Sequence, residues 1–138
     1  DIHRVYTAIV YNQFATDEGT INKPIARHKT DRKKMAIDPN GRHAVTHYRV
    51  IERLKQNFSL VECELETGRT HQIRVHMASI NHPLLGDEVY GPKQKPFATQ
   101  GQVLHAGVLG FDHPITGEYM EWHADLPDYF QEILKRLR

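Results

Sequence analysis

The chain is poor in the residues that several familiar chemistries require. It has a single cysteine, Cys63, which excludes an internal disulfide framework. That thiol sits in the alternating run "SLVECEL", where a buried structural role is expected rather than a reactive one. Only two serines occur, Ser59 and Ser79, and neither lies in the G-x-S-x-G turn of a serine hydrolase. The glycine patterns of a phosphate-binding loop or a dinucleotide fold are also absent. No uninterrupted apolar stretch approaches the length that spans a bilayer, and the opening "DIHRVYTAIV" lacks the basic-then-apolar order of a signal peptide. A cytoplasmic protein is the expectation.

What is present fits a single folding unit. With 138 residues, 39% hydrophobic and 25% charged, the chain has enough material for one hydrophobic core and too little for two. The net charge is only +1, but it is unevenly placed. Between Asn22 and Lys55 ten basic residues face three acidic ones, whereas the remainder carries eight basic and fourteen acidic. The densest part, "RHKTDRKKM", suits a polyanionic partner, because neutralised phosphates release counterions and give affinity independent of sequence. Nucleic acid is the favoured partner, with Arg27, Arg32, Lys33 and Lys34 as candidate phosphate contacts.

Periodicity predicts an α+β fold, a mainly antiparallel mixed sheet with a few helices. "RVYTAIVYNQF" is rich in β-branched and aromatic residues and apolar on both faces, as a strand in the interior of a sheet should be. "DEGT" offers a turn before the basic loop, and "DPNG" another after it. "RHAVTHYRVIERL" and "FSLVECELETG" alternate at period two and form a hairpin through "KQN". Thr70 is placed to cap a helix through "HQIRVHMASI", and "NHPLLGDEVYGP" reads as a loop. "QVLHAGVLGFDHP" and "EYMEWHA" flank the turn "HPITGE". The chain closes on a helix in which Pro127 suits the first turn and Leu126, Phe130, Ile133, Leu134 and Leu137 form one apolar stripe.

The stretch "ETGRTHQIRVH", residues 66–76, concentrates directional hydrogen-bond donors behind Gly68. Its ten-histidine background invites a metal reading, but His71 and His76 are five apart, off any common helical face, and no H-E-x-x-H or paired-cysteine spacing occurs. The histidines read instead as structural hydrogen-bonding groups or RNA-facing donors, and no metal site is assigned. A guanidinium near the start of a buried helix requires a carboxylate or a phosphate opposite it to offset desolvation.

"LETGRTHQIRVHMASINHPLLGDEVYG", with "RVYTAIV" before it and "LHAGVLGFDHPITGE" after it, closely resembles the pseudouridine synthases of the RluA/RluD family, which isomerise uridine in structured RNA. The resemblance covers nearly the whole chain. It implies that the reaction needs neither cofactor nor metal, that Arg74 ion-pairs with a catalytic aspartate, and that Tyr6 stacks on the target uracil and is a candidate catalytic residue handling the proton at the base carbon. Ile73 would form an apolar wall under the base, while Arg69, His71 and Gln72 would hold the strand-helix junction and contact RNA. Asp87 and Tyr90 in "GDEVYG" match a loop of the family to which the resemblance gives a structural role. The family's nucleophilic aspartate lies in an H-R-L-D-x-x-T-S-G segment, and no such segment occurs in these 138 residues. Residues 1–138 therefore read as the C-terminal portion of one catalytic domain, inactive when isolated and with an unpaired sheet edge as a further expectation. Large-subunit ribosomal RNA is the implied substrate, transfer RNA the alternative, and no protein partner is implied. A non-catalytic RNA-binding module is the competing reading for the chain alone.

Overall fold

A computed structural model describes residues 2–138. Six strands form one antiparallel sheet: β1 (Ile2–Tyr11), β2 (Glu18–Asn22), β5 (Val45–Arg53), β6 (Phe58–Leu65), β7 (Leu104–Asp112) and β8 (Tyr119–His123), in the order β2-β5-β6-β1-β7-β8. A separate two-stranded hairpin, β3 (Ile25–Arg27) and β4 (Met35–Ile37), stands beside it. Two helices complete the fold, α1 (Gln72–Ser79) and α2 (Asp128–Leu137).

The apolar character of both faces of β1 follows from its place. It is flanked by β6 and β7, and α1 and α2 cover its opposite faces. Ala8 and Val10 pack with Val61, Cys63, Ile73 and Met77 in the layer under α1. Ile9 points the other way, into a cluster with Leu60, Phe130, Ile133, Leu134 and Leu137 under α2. The stripe on α2 is therefore core, as its spacing predicts, with Pro127 extended at φ −67° just before the first turn. Cys63 is fully buried, and burial together with the neighbouring Glu62 charge pushes its thiol up to about 12. It is inert for thiolate chemistry.

The β5–β6 hairpin closes through Gln56 and Asn57, both left-handed at φ 58° and 62°. That is the primed turn whose twist matches the strands. The "DPNG" turn also forms, with the Gly41 N–H donating to the Asp38 carbonyl at 2.8 Å. Two expectations are corrected. Glu18, Gly19 and Thr20 of "DEGT" lie inside β2, where cross-strand pairing to Tyr48, His47 and Arg49 overrides their turn propensity. The basic segment is likewise no simple loop, since its flanks pair as β3 and β4 and only the stretch between Arg27 and Met35 is a turn.

The long connection from α1 to β7 has no helix or strand, yet it is firmly attached. Tyr11 donates its N–H to the Pro83 carbonyl, Leu85 donates to Ile9, and Ile9 donates to Val103. Leu84, Leu85 and Val103 are fully buried. This anchoring fixes the neighbouring "GDEVYG" turn against α1. At the far edge of the sheet, β7 and β8 leave Leu109, Tyr119, Met120 and Trp122 exposed. Among the described residues no helix is long and apolar enough to cross a membrane.

Candidate active site

The turn joining β6 to α1 is organised by one buried amide. The Gln72 Oε1 accepts from the Thr67 hydroxyl at 2.8 Å and from the Arg69 backbone N–H at 3.0 Å, while its Nε2 donates to the Val45 carbonyl and to Thr46 Oγ1, both at 3.0 Å. Both ends of the amide are thus used within the protein, and Gln72 is only 3% exposed. It shapes the site from below. The network continues from the Thr46 hydroxyl to His76 Nδ1 at 2.8 Å and from His76 Nε2 to the Lys23 carbonyl at 2.9 Å. Because a carbonyl only accepts, the proton of neutral His76 sits on Nε2 and its Nδ1 takes the threonine proton. Burial holds the pKa of this imidazole below its usual value.

The residue capping α1 is His71, not Thr70, and it makes no side-chain capping bond. It adopts φ 57° and ψ 21°, a left-handed conformation that histidine tolerates better than most side chains. The Gln72 carboxamide bonded to the Arg69 N–H satisfies the turn in place of a threonine cap. Short polar residues are good caps in general, but the buried glutamine already holds this turn from within.

Above this floor lies an open cavity of about 230 Å³ lined by Tyr6, Leu65, Arg69, His71, Gln72, Ile73, Arg74, Gln102 and Leu104. Tyr6, Ile73 and Arg74 therefore meet in one place from β1 and α1, together with Arg69, His71 and Gln72. Arg69 is held by its Nε donating to the His43 carbonyl at 2.8 Å. Arg27, Arg32, Lys33 and Lys34 do not line the cavity. They sit on the β3–β4 hairpin, where Arg27 Nη1 donates to the Arg32 carbonyl at 2.8 Å. Among the described residues no acidic side chain lines the cavity, and no three metal-ligating side chains cluster.

Arg74 is paired. Its Nε donates to Asp87 Oδ2 at 2.8 Å and its Nη2 to Oδ1 at 3.0 Å, a bidentate ion pair whose carboxylate side chain is fully buried. The Val89 and Tyr90 backbone N–H groups also donate to Asp87 Oδ1, each at 3.0 Å. Burial alone raises a carboxyl pKa, but here the Arg74 hydrogen bonds, the two amides and the Arg74 charge outweigh it and hold Asp87 below the usual range. The guanidinium also lies over the Tyr90 ring, 5.1 Å from its centroid. The carboxylate that a buried guanidinium demands is thus supplied by the "GDEVYG" turn. Among the described residues Arg74 Nη1 has no hydrogen-bond partner, and Arg74 is one of the residues lining the cavity.

Residues 1–79 match the family described as "RNA pseudouridylate synthase". The chain belongs to this family. The "Uncharacterized RNA pseudouridine synthase YlyB" of Bacillus subtilis (strain 168) is 56% identical over 99% of this chain and 45% of its own length. The "Ribosomal large subunit pseudouridine synthase D" of Haemophilus influenzae is 48% identical, again over 99% of this chain and 45% of that protein. Among solved structures, "Human RNA Pseudouridylate Synthase Domain Containing 1" superposes with a TM-score of 0.80 at 27% identity, covering 90% of this chain and 54% of that one. The chain spans a little under half the length of the curated relatives it matches. The fold described above is thus a partial pseudouridine synthase catalytic fold. The cavity lies beside the G-R-x-H-Q-I-R-x-H run through which the sequence resembles the family.

Proposed function

We propose that the protein carrying this chain is an RNA pseudouridine synthase that isomerises uridine in large-subunit ribosomal RNA in the cytoplasm. The observation that carries this reading is the convergence of Tyr6, Ile73 and Arg74 on one cavity beside a basic hairpin. The target uridine leaves its stack at a cost of about a few kcal/mol, which binding offsets. Tyr6 stacks on the flipped base, Ile73 forms the apolar wall beneath it, and the free N–H groups of Arg74 orient a carboxylate supplied from outside this chain. That carboxylate acts at the ribose, the glycosidic C–N bond breaks, the turned uracil rejoins the sugar through carbon, and the hydrogen on that carbon is released to solvent while the freed ring nitrogen takes up a proton. Asp87 is not that group, because its oxygens are already committed to Arg74 and two backbone amides.

Isolated, the chain is read as an RNA-binding module without turnover, since no acidic side chain among the described residues lines the cavity. The test is a tritium-release assay on ribosomal RNA, comparing the 138-residue chain with the longest product of its gene, and with transfer RNA as a second substrate. Turnover confined to the longer protein and to ribosomal RNA supports the reading. Turnover by the short chain alone overturns the division of labour, and exclusive use of transfer RNA overturns the substrate.

A further inference from the structure

The hydroxyl of Tyr90 adds a polar link between the basic hairpin and the cavity, beside the apolar packing of Ile25, Met35 and Val75. Its oxygen accepts the Met35 backbone N–H at 2.8 Å and lies 2.7 Å from His71 Nδ1. Met35 opens β4, directly after Arg32, Lys33 and Lys34. His71 lines the cavity. One phenol therefore ties the turn end of the basic hairpin to a cavity side chain across 55 residues of sequence in one direction and 19 in the other.

An amide N–H can only donate, so the Tyr90 oxygen is the acceptor toward Met35. The phenol's own proton has no other acceptor than His71 Nδ1 among the described residues, which assigns that bond as Tyr90 O–H to Nδ1 and the proton of the neutral ring to Nε2. Burial and the neighbouring Arg74 charge keep His71 neutral more readily than an ordinary histidine, against a smaller opposing effect of Asp87. Among the described residues Nε2 has no protein partner, so it is an available donor at the cavity. The backbone around the ring is also unusual. His71 holds a left-handed conformation at the cap of α1, and such geometry persists where the surroundings enforce it. The Tyr90 ring packs edge-on to the imidazole at 5.6 Å and against the Ile25, Ala44 and Val75 cluster, beside the Gln72 network that holds the turn.

We propose that Tyr90 is a positioning residue: its hydroxyl fixes His71 as an Nε2–H donor facing the substrate base and couples that donor to the phosphate-binding hairpin through Met35. The inference rests on the RNA reading above for its function but not for its geometry. RNA held on the hairpin would then reinforce the same hydrogen bond that orients the donor.

The test uses Tyr90→Phe, which keeps the ring, its packing and its contact with Arg74 and deletes only the hydroxyl. Nitrogen-15 NMR of the imidazole in the unliganded 138-residue chain should show the His71 proton on Nε2 in the wild type and a mixture of tautomers in the variant. Exchange of the Met35 amide should be about five- to tenfold faster in the variant, the amount one ordinary hydrogen bond is worth. In the longer protein kcat should fall about tenfold with KM for RNA within about twofold, the split expected of lost orientation rather than lost binding. A wild-type proton on Nδ1 overturns the proposal even if the variant does not fold. So does unchanged Met35 exchange, or a rise in KM alone. The NMR readings involve no RNA, so failure to form pseudouridine would remove the functional reading while the linkage is still decided by the imidazole and the amide.

Discussion

Arg74 and Asp87 form a bidentate ion pair, 2.8 and 3.0 Å, in which the carboxylate is sealed from solvent and the guanidinium side chain is 12% exposed. The two residues are 13 apart in sequence, on a helix and on the turn after it. Breaking such a pair from one side strands a buried charge. Asp87→Ala is accordingly expected to cost about 3–5 kcal/mol in a urea unfolding curve, and Arg74→Met a comparable amount. The double variant should cost less than the sum, because neither charge is then left alone. Strict additivity of the two single effects would show that the pair is not coupled.

Arg74→Lys separates stability from chemistry at the same position. Lysine keeps the charge but has no planar fork with which to hold Asp87 and face the cavity at once. The variant should remain folded, losing on the order of 1–2 kcal/mol, while pseudouridine formation by the longer protein falls at least about a hundredfold. Activity within about threefold of wild type would show that a single point charge suffices there.

Acid should weaken the fold through two histidines. His76 is buried between Thr46 and the Lys23 carbonyl, and its pKa is lowered by burial, with the Lys23 charge adding to the effect against a partly compensating backbone bond. His71 is lowered as well, by burial and by Arg74. In both cases the unfolded chain binds its proton more readily than the folded one. Stability is therefore complete above the unfolded value of about 6.5 and declines as the pH drops through it. The melting temperature should be level on the alkaline side and fall below that point, and His76→Gln should flatten the slope even while lowering the plateau. An unaltered slope in that variant would exclude His76 as a source of the dependence.

Glycine is required differently at two positions with similar backbone angles. Gly86 has φ 81°, and a Cβ there would collide with the Gly101 carbonyl oxygen and the Thr99 hydroxyl, whereas Gly101 has φ 76° but open space around it. Gly101→Ala should cost only the conformational penalty, about 1–2 kcal/mol. Gly86→Ala adds a backbone displacement worth about another 1–3 kcal/mol. Because Gly86 directly precedes Asp87, its replacement should also disturb the Arg74 pair, visible as a shift of the Arg74 Nε–H resonance that Gly101→Ala does not produce.

Much of this architecture is legible in the sequence, and the exceptions share a cause. The second half of β6, where Val61, Cys63 and Leu65 are buried and Glu62 and Glu64 are not, and the apolar stripe of α2 declare themselves because burial of a face is written in a local period. Glu18–Asn22 does not, since its strand state comes from pairing with β5, a partner distant in sequence. The cap at His71 is hidden for a similar reason. The left-handed residue sits among Gln72 contacts to Val45 and Thr46 and a hydrogen bond to Tyr90, none of which a helix-start pattern contains. The need of Arg74 for a carboxylate can be deduced from its place near a buried helix start, but the identity of the partner as Asp87 is a fact of packing.

The hairpin beside the cavity yields a prediction that separates attraction from catalysis. Arg27, Arg32 and Lys33 are exposed, Lys34 is partly so, and none of the four lines the cavity. Charges in this position act on the phosphate backbone without reading bases, so their effect should be uniform across RNA sequences and should appear in the salt dependence of binding. Replacing Arg32, Lys33 and Lys34 together by glutamine should weaken RNA binding by the chain and lower the slope of log K against log salt by about 0.7–0.9 for each phosphate that is no longer neutralised. For the longer protein the same change should raise KM and leave kcat within about twofold, because the groups around the flipped base are untouched. An unchanged salt slope would mean that the hairpin's charges face solvent and that the polyanion follows another path across the protein.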